Sequence, residues 1–410
     1  MSVFYDIVLA FYHLFIRIAA LFNTKAKLWV IGRKGVFEKL SDEFAQKDDV
    51  AWFHCASLGE FEQGRPVMEK FKVDNPNSKI LLTFFSPSGY EIRKNYELAD
   101  CVCYLPRDSR KNAEKFLEIV RPRVVFFVKY EFWAHYINVI YQKGIPLYLI
   151  SGVFREDHVF FKWYGGFFKN LLKGFSFFFL QNQLSKDILN KAGFDNCMVT
   201  GDTRFDRVND TARTVKEISA IRTFKAKNSL FIAGSTWAAD ENVLLPYINE
   251  VNNDLKFIIA PHEIKEENIK RIKGNLKVET ILFSEANDAN ISDAKVLIVD
   301  NIGMLSSLYQ YGDIAYIGGA FGKNVHNVLE AAVFGMPVIF GPNYHKFKEA
   351  VDLVEIGGAF PIDSRSSFNK RMEFLLSDPY MIKMASEMSR SFVVKGQGAT
   401  KKIIDRLTVL

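Results

Sequence analysis

Short apolar runs rich in Val, Ile and Phe alternate along most of this chain with longer segments whose apolar positions recur at helical spacing. In the first half the runs are VAWFHC (50–55), KILLTFF (79–85), VVFFV (124–128), IPLYLI (145–150) and SFFFLQ (176–181). The second half repeats the rhythm with SLFIAG (229–234), LKFIIA (255–260), KVLIVD (295–300), DIAYIGG (313–319) and PVIFG (337–341). Strands that are apolar along their whole length are buried on both faces, the habit of parallel sheets covered by helices. Two such sets predict an α/β chain of two doubly wound, Rossmann-like domains, with the boundary in the polar stretch 207–228. The segments are then 1–24, 25–210 and 211–410, the last helix packing back on the first domain. Ligands of such sheets bind beyond the carboxyl ends of the strands, so the expected site is a cleft that the two domains face.

The first segment breaks the rhythm. Wound as a helix, MSVFYDIVLAFYHLFIRIAALF (1–22) places Asp6, His13 and Arg17 on one narrow face, with Val3, Phe4, Ile7, Val8, Phe11, Leu14, Phe15, Ile18 and Phe22 covering the rest. A charge at bilayer depth costs about 2.5–3.5 kcal/mol on insertion scales, so an in-plane or partly embedded anchor fits this pattern better than a span. The basic n-region of a secretory signal is missing, and Lys25, Lys27, Arg33, Lys34 and Lys39 follow directly, as an anionic leaflet would favour. A buried first helix is the competing reading.

Composition narrows the class. The 410 residues are 49% hydrophobic and 24% charged, the proportions of a globular chain. A net charge of +6 together with 38 Phe suits an anionic or lipid-bearing partner, while tight Lys/Arg clusters of a nucleic-acid binder are missing. Cys55, Cys101, Cys103 and Cys197 form no C-x-x-C pair and read as free thiols.

Candidate chemistry gathers at strand ends. Ser57-Leu58-Gly59-Glu60 fits a capping box, yet it also follows a strand, where an enzyme of this class places reactive groups; cap and base both stand. A carboxylate at a helix N-terminus is expected to stay ionised easily, which weakens it as a base. Glu131, in VVFFVKYEFW, repeats the placement among aromatic neighbours, as a second acid or as a helix-start glutamate. Ser88-Gly89-Tyr90-Glu91 is a further capping box. In GSTWAADE (234–241), Ser235 and Thr236 are expected to open a helix whose free amides bind an anionic group. In YIGGAFGKNVHNVLEAAVFGMPVIFGP (316–342), glycines allow close backbone approach, Asn324 to Asn327 can start a helix, and Glu330 can accept a ribose diol. No D-x-D and no H-E-x-x-H occurs, which points to metal-free stabilisation of a leaving phosphate.

Ten ordered motifs, HCASLGE, FFSPSGYE, VVFFVKYEFW, SGVFRE, GDTRFD, AGSTW, APHE, VDNIGML, GGAFGKNVHNVLEAA and PVIFGP, resemble those of the 3-deoxy-D-manno-octulosonic acid (Kdo) transferases of lipopolysaccharide synthesis. The resemblance implies an inverting GT-B glycosyltransferase, anchored at the cytoplasmic face of the inner membrane, that moves Kdo from the donor CMP-Kdo to a lipid A precursor of lipid IVA type. It implies no metal, cofactor or nucleic-acid partner. On the same ground Glu60 is the general base, Glu131 and Arg204 are further transition-state residues, and CMP contacts fall on Pro261, His262, Ile302, Gly303, Met304, Asn327, Val328, Leu329 and Glu330. The chain departs from the pattern at Pro261-His262-Glu263, where the family commonly reads Pro-Arg-His, and around His326-Asn327, where flanking Gly and Pro residues are lost. Rival readings of the residues are another GT-B nucleotide-sugar transferase or epimerase, and a membrane-bound nucleotide sensor.

Overall fold

A computed structural model describes residues 2–44, 48–287 and 289–408. The chain forms two compact units, Met1–Arg207 together with Gln397–Leu410, and Val208–Gly396. In the first, seven parallel strands, β1 (Val50–Cys55), β2 (Lys79–Phe84), β3 (Cys101–Tyr104), β4 (Val124–Val128), β5 (Leu147–Gly152), β6 (Phe177–Leu180) and β7 (Cys197–Val199), lie in the order β3-β2-β1-β4-β5-β6-β7. Each strand feeds both cores through its alternation. Val50 and Trp52 enter one apolar layer with Leu81, Val125 and Phe127. Ala51, Phe53 and Cys55 enter the opposite layer with Leu82, Phe126 and Val128, where the Phe53 and Phe126 rings stack with centroids 4.5 Å apart.

The second unit holds β8 (Leu230–Thr236), β9 (Lys256–Pro261), β10 (Thr280–Leu282), β11 (Val296–Ile298), β12 (Ile314–Ile317), β13 (Val338–Phe340) and β14 (Ala359–Pro361). These strands are also all parallel, in the order β10-β11-β9-β8-β12-β13-β14. Every strand anticipated from the apolar runs is present. The four that escaped the pattern, β3, β7, β10 and β14, are the edges of the two sheets. An edge strand has one neighbour and fewer apolar positions to bury, so its run of three or four residues does not stand out.

The helix Ser2–Ala19 packs its polar side inward: Tyr5 Oη donates to Asp108 Oδ2 at 2.7 Å, His135 Nε2 lies 2.6 Å from Asp6 Oδ1, and His13 is buried. Its apolar side faces outward, with Phe4 72% and Phe15 65% exposed. No described helix is long and apolar enough to cross a membrane. Behind it Arg33 sits 3.7 Å from the Trp29 ring and donates to the carbonyls of Trp29, Phe85 and Leu105.

At the other end of the chain, helix Ala399–Leu407 returns to the first unit, where Ile403 and Ile404 join the layer of Phe53 and Phe126. Asp206 fixes this return by accepting from the amides of Gly398 and Thr400, both at 2.6 Å. Charge-assisted bonds of this kind are worth about 1.5–3 kcal/mol each. Asp206→Ala should therefore lower the thermal midpoint of the protein by several degrees and raise hydrogen exchange in 399–407 first, as read by mass spectrometry.

Candidate active site

The order of the first sheet reverses between β1 and β4, which pair directly from Ala51↔Val124 to His54↔Phe127. Chain segments leaving two such strands diverge to opposite faces and leave an opening beyond their carboxyl ends. Glu60 follows β1 and Glu131 follows β4, so the two carboxylates predicted from the sequence flank this switch point.

Glu60 lies in the first turn of helix Leu58–Asp74 and its Oε2 accepts from the Ser57 amide at 3.1 Å, the returning arm of a capping box. The helix seats close on the sheet because Gly64 has no side chain: a Cβ there would lie 3.0 Å from Val128 and 3.2 Å from Cys55. Glu60, at the start of the same helix, is half-buried. Burial first, and the charge of Glu131 second, push Glu60 up to about 7, while the amides of Ala56 and Ser57 and the Lys129 ammonium pull the other way and lose. The expectation of an easily ionised, weak base is thus corrected. Desolvation and a like charge outweigh the helix terminus.

Glu131 is buried in the turn after β4, where Lys129 takes the left-handed conformation at φ 66°. Its Oε2 lies 2.9 Å from His54 Nε2 and receives the Trp133 indole N–H at 2.5 Å. His54 Nδ1 is 2.8 Å from Thr83 Oγ1, which also takes the Trp52 indole N–H at 2.8 Å. Arg204 belongs to the same unit. Its helix, Thr203–Thr214, is tied to that of Glu60 by Thr203 Oγ1 donating to the Gln63 carbonyl at 2.5 Å. The guanidinium is held by Asp202 of its own motif, at 2.9 and 2.6 Å from Oδ2.

In the second unit the order reverses between β8 and β12. Asp240, fully buried, accepts from Tyr316 Oη, the Gly319 amide and the Trp237 amide, and so locks both strand ends together. Gly318 packs so close that a Cβ would lie 2.2 Å from the Ser235 carbonyl oxygen, and Ser235 itself stands at φ 54°. Across this frame His262, just past Pro261 at the end of β9, stacks between Trp237 and His326 at 4.6 and 4.5 Å, and Trp237 Nε1 donates to His326 Nε2 at 3.1 Å. Burial and the neighbouring His262 hold His326 below the usual histidine range. Asn327 Nδ2 donates to Glu330 Oε1 at 3.0 Å. In the loop after β11, Ile302 is 91% exposed, Gly303 stands at φ 91°, and Met304 Sδ receives the Asn301 amide at 2.7 Å.

Several local expectations are corrected. The helix after β8 begins at Ala238, so Ser235 and Thr236 end the strand; Thr236 is buried with its hydroxyl on Glu241 at 2.9 Å, and the Trp237 amide is taken by Asp240. The helix near Glu330 begins at Leu329, later than Asn324 to Asn327, because the preceding residues wrap around Gly319. Val328 and Leu329 are buried, which leaves only their backbones for a ligand. Ser86, rather than Ser88, caps helix Pro87–Arg93, since Pro87 takes the first helical position. The residues missed were His54, Trp133, Trp237 and Asp240. For His54 a signal existed: a polar side chain inside a strand buried at every position must have a buried partner.

Residues 32–207 match the family model described as 3-Deoxy-D-manno-octulosonic-acid transferase (kdotransferase). The chain is 28% identical over 353 residues to a 3-deoxy-D-manno-octulosonic acid transferase of Aquifex aeolicus, covering 84% of this chain and 90% of that one. It is 25% identical to the transferase of that name from Haemophilus influenzae, with 87% and 86% covered. The resemblance carried by the motifs is borne out. Among solved structures, UDP-GlcNAc 2-epimerase from Neisseria meningitidis bound to UDP-GlcNAc is similar in fold at TM-score 0.62 and 17% identity, over 88% of this chain and all of that one. The two parallel-sheet α/β domains thus resemble those of GT-B glycosyltransferases in fold.

Because Glu60 binds its proton more tightly folded than unfolded, stability contributed at this site falls as pH rises from the ordinary carboxyl range through about 7. Glu60→Gln should raise the thermal midpoint at pH 8 and leave it nearly unchanged at about pH 3, where the wild-type carboxyl is mostly neutral in both states.

Proposed function

We infer that the chain is a glycosyltransferase of the Kdo transferase family, moving Kdo from CMP-Kdo to a lipid A precursor in lipopolysaccharide biosynthesis. The observation that carries the chemistry is Glu60, beside Glu131 at a topological switch point and poised near neutrality. A base whose proton affinity matches the working pH combines a useful ionised fraction with real driving force. In this reading Glu60 takes the proton of an acceptor hydroxyl as its oxygen attacks the anomeric carbon of Kdo. The bond to the CMP phosphate breaks through an oxocarbenium-like state, with inversion.

The second unit then holds the nucleotide. The Trp237–His262–His326 stack offers aromatic and imidazole faces, the Gly318-Gly319 turn admits close backbone approach, and Glu330, oriented by Asn327, suits a ribose diol. Arg204, already neutralised in part by Asp202, stabilises the Kdo carboxylate or leaving phosphate by exchanging that partner. The outward apolar face of helix Ser2–Ala19, followed by a basic segment, supports its lying in the interface of the inner membrane on the cytoplasmic side, where a lipid acceptor is met without extraction. The apolar face is continuous around Phe4, Phe11 and Phe15, whereas the polar face is spent on Asp108 and His135.

General bases of this type contribute about 10²- to 10⁴-fold, so Glu60→Ala should cut Kdo transfer by that factor while CMP-Kdo binding, measured by calorimetry, is retained. Near-normal turnover would leave Glu60 a cap alone. The mass of the lipid product formed from CMP-Kdo and a tetra-acylated precursor checks the acceptor directly.

A further inference from the structure

Beneath the carboxylate pair lies a fully buried histidine that the chemistry described so far does not use. His54 sits inside β1 with no exposure, bridging Thr83 on one side and Glu131 on the other. On one side Thr83 Oγ1, which accepts the Trp52 indole proton at 2.8 Å, lies 2.8 Å from His54 Nδ1. On the other, the Trp133 indole N–H lies 3.0 Å from Nε2 but closer to Glu131. A carboxylate oxygen can only accept, so the contact with Glu131 is made by an imidazole proton on Nε2. From there it points at Glu131 Oε2, 2.9 Å away. The indole proton of Trp133 converges on the same oxygen at 2.5 Å. Trp133 is itself braced by Phe85, whose ring centroid lies 4.7 Å from its own.

We propose that His54 is a positioning residue for the transfer reaction: its Nε2, with the Trp133 indole, holds the Glu131 carboxyl in place at the switch point beside Glu60. Two partners on one carboxyl oxygen, at 2.9 and 2.5 Å, fix where that group sits. Where it sits sets how strongly Glu131 acts on Glu60, the second cause, after burial, of the raised proton affinity there. That second part is what the layer beneath Glu131 lends. The other ionisable groups around the pair are Cys55 on β1 with Glu62 acting on it from the Glu60 helix, and Lys129 and Tyr130 in the turn after β4.

The proposal rests on the transferase reading, and the test separates the two. In the full-length protein carrying ¹³C-carboxyl glutamate, with the Glu60 resonance assigned by its loss in Glu60→Gln, the Glu60 midpoint is followed by NMR with no turnover required. Wild type should titrate near 7. His54→Asn keeps a partner for Thr83 but cannot reach Glu131; the carboxyl is released from its place beside Glu60 and the Glu60 midpoint falls by roughly one pH unit. His54→Gln carries an amide donor to the position of Nε2 and restores the midpoint. The acid limb of kcat/KM for Kdo transfer follows the same three values. Trp133→Phe, which removes the second donor without touching the strand, shifts the midpoint in the same direction and serves if His54→Asn fails to fold. An unmoved Glu60 midpoint in His54→Asn and Trp133→Phe overturns the proposal, as does a shift that His54→Gln fails to reverse, since packing alone would produce that. Wild type that titrates as expected yet releases no CMP in the presence of lipid acceptor instead overturns the transferase reading.

Discussion

A buried carboxyl, Glu131, and a half-buried one, Glu60, at one reversal of strand order are the constraint on which the first unit depends. The reversal between β1 and β4 is a matter of connection: right-handed crossovers carry the chain to opposite faces from these two strands, so no helix can close over their ends. Water would solvate both carboxylates if the opening were wide. Gly64 prevents this by drawing the helix of Glu60 onto β1 and β4, and the aromatic floor of Trp52, Phe127 and Trp133 completes the low-dielectric surround. Proton affinity at Glu60 is therefore set by packing several residues away from it. A change that loosens the seat of that helix acts on chemistry without touching a reacting group.

Much of this was legible beforehand, and what was missed has a physical pattern. Central strands such as β1, β4, β8 and β9 are sandwiched between helices, so nearly every position is apolar and the run announces itself. Edge strands β3 and β14 carry CVCY and AFP, too short to be told from a loop. The two glutamates were found because strand ends in doubly wound sheets attract chemistry, but their environment was not. A helix terminus visible in the sequence favours an ionised Glu60, whereas the desolvation that overrides it comes from chain segments far apart in number, Gly64, Val128 and Glu131. Local pattern reports local fields only.

In the second unit the contrast is similar. Glycines 318 and 319 and the acidic Glu330 stood out by type and spacing, yet the element that organises them, Asp240, looks in sequence like an ordinary first-turn acid. Its three donors come from the end of β8, from β12 and from the turn beyond it. Such a carboxylate, neutralised by hydrogen bonds instead of by a cation, keeps the strand ends in register and leaves the surface of the turn uncharged. The Trp237–His262–His326 stack stands on that frame, which explains why the helix amides expected to meet an anion are turned to internal use.

The return of the last helix to the first unit bears on how this chain is made. Ile403 and Ile404 complete an apolar layer whose other fully buried members were all laid down before residue 200, and Asp206 waits for amides nearly two hundred positions later. During synthesis from the N-terminus the first sheet must stand with part of its covering absent until the second unit, 208–396, has left the ribosome. The second unit holds all of its own strands and can close as soon as it emerges. The half that begins first thus finishes last: Phe71 already covers Phe53 and Phe126, and the ground of Ile403 and Ile404 is the part of the layer that stays open.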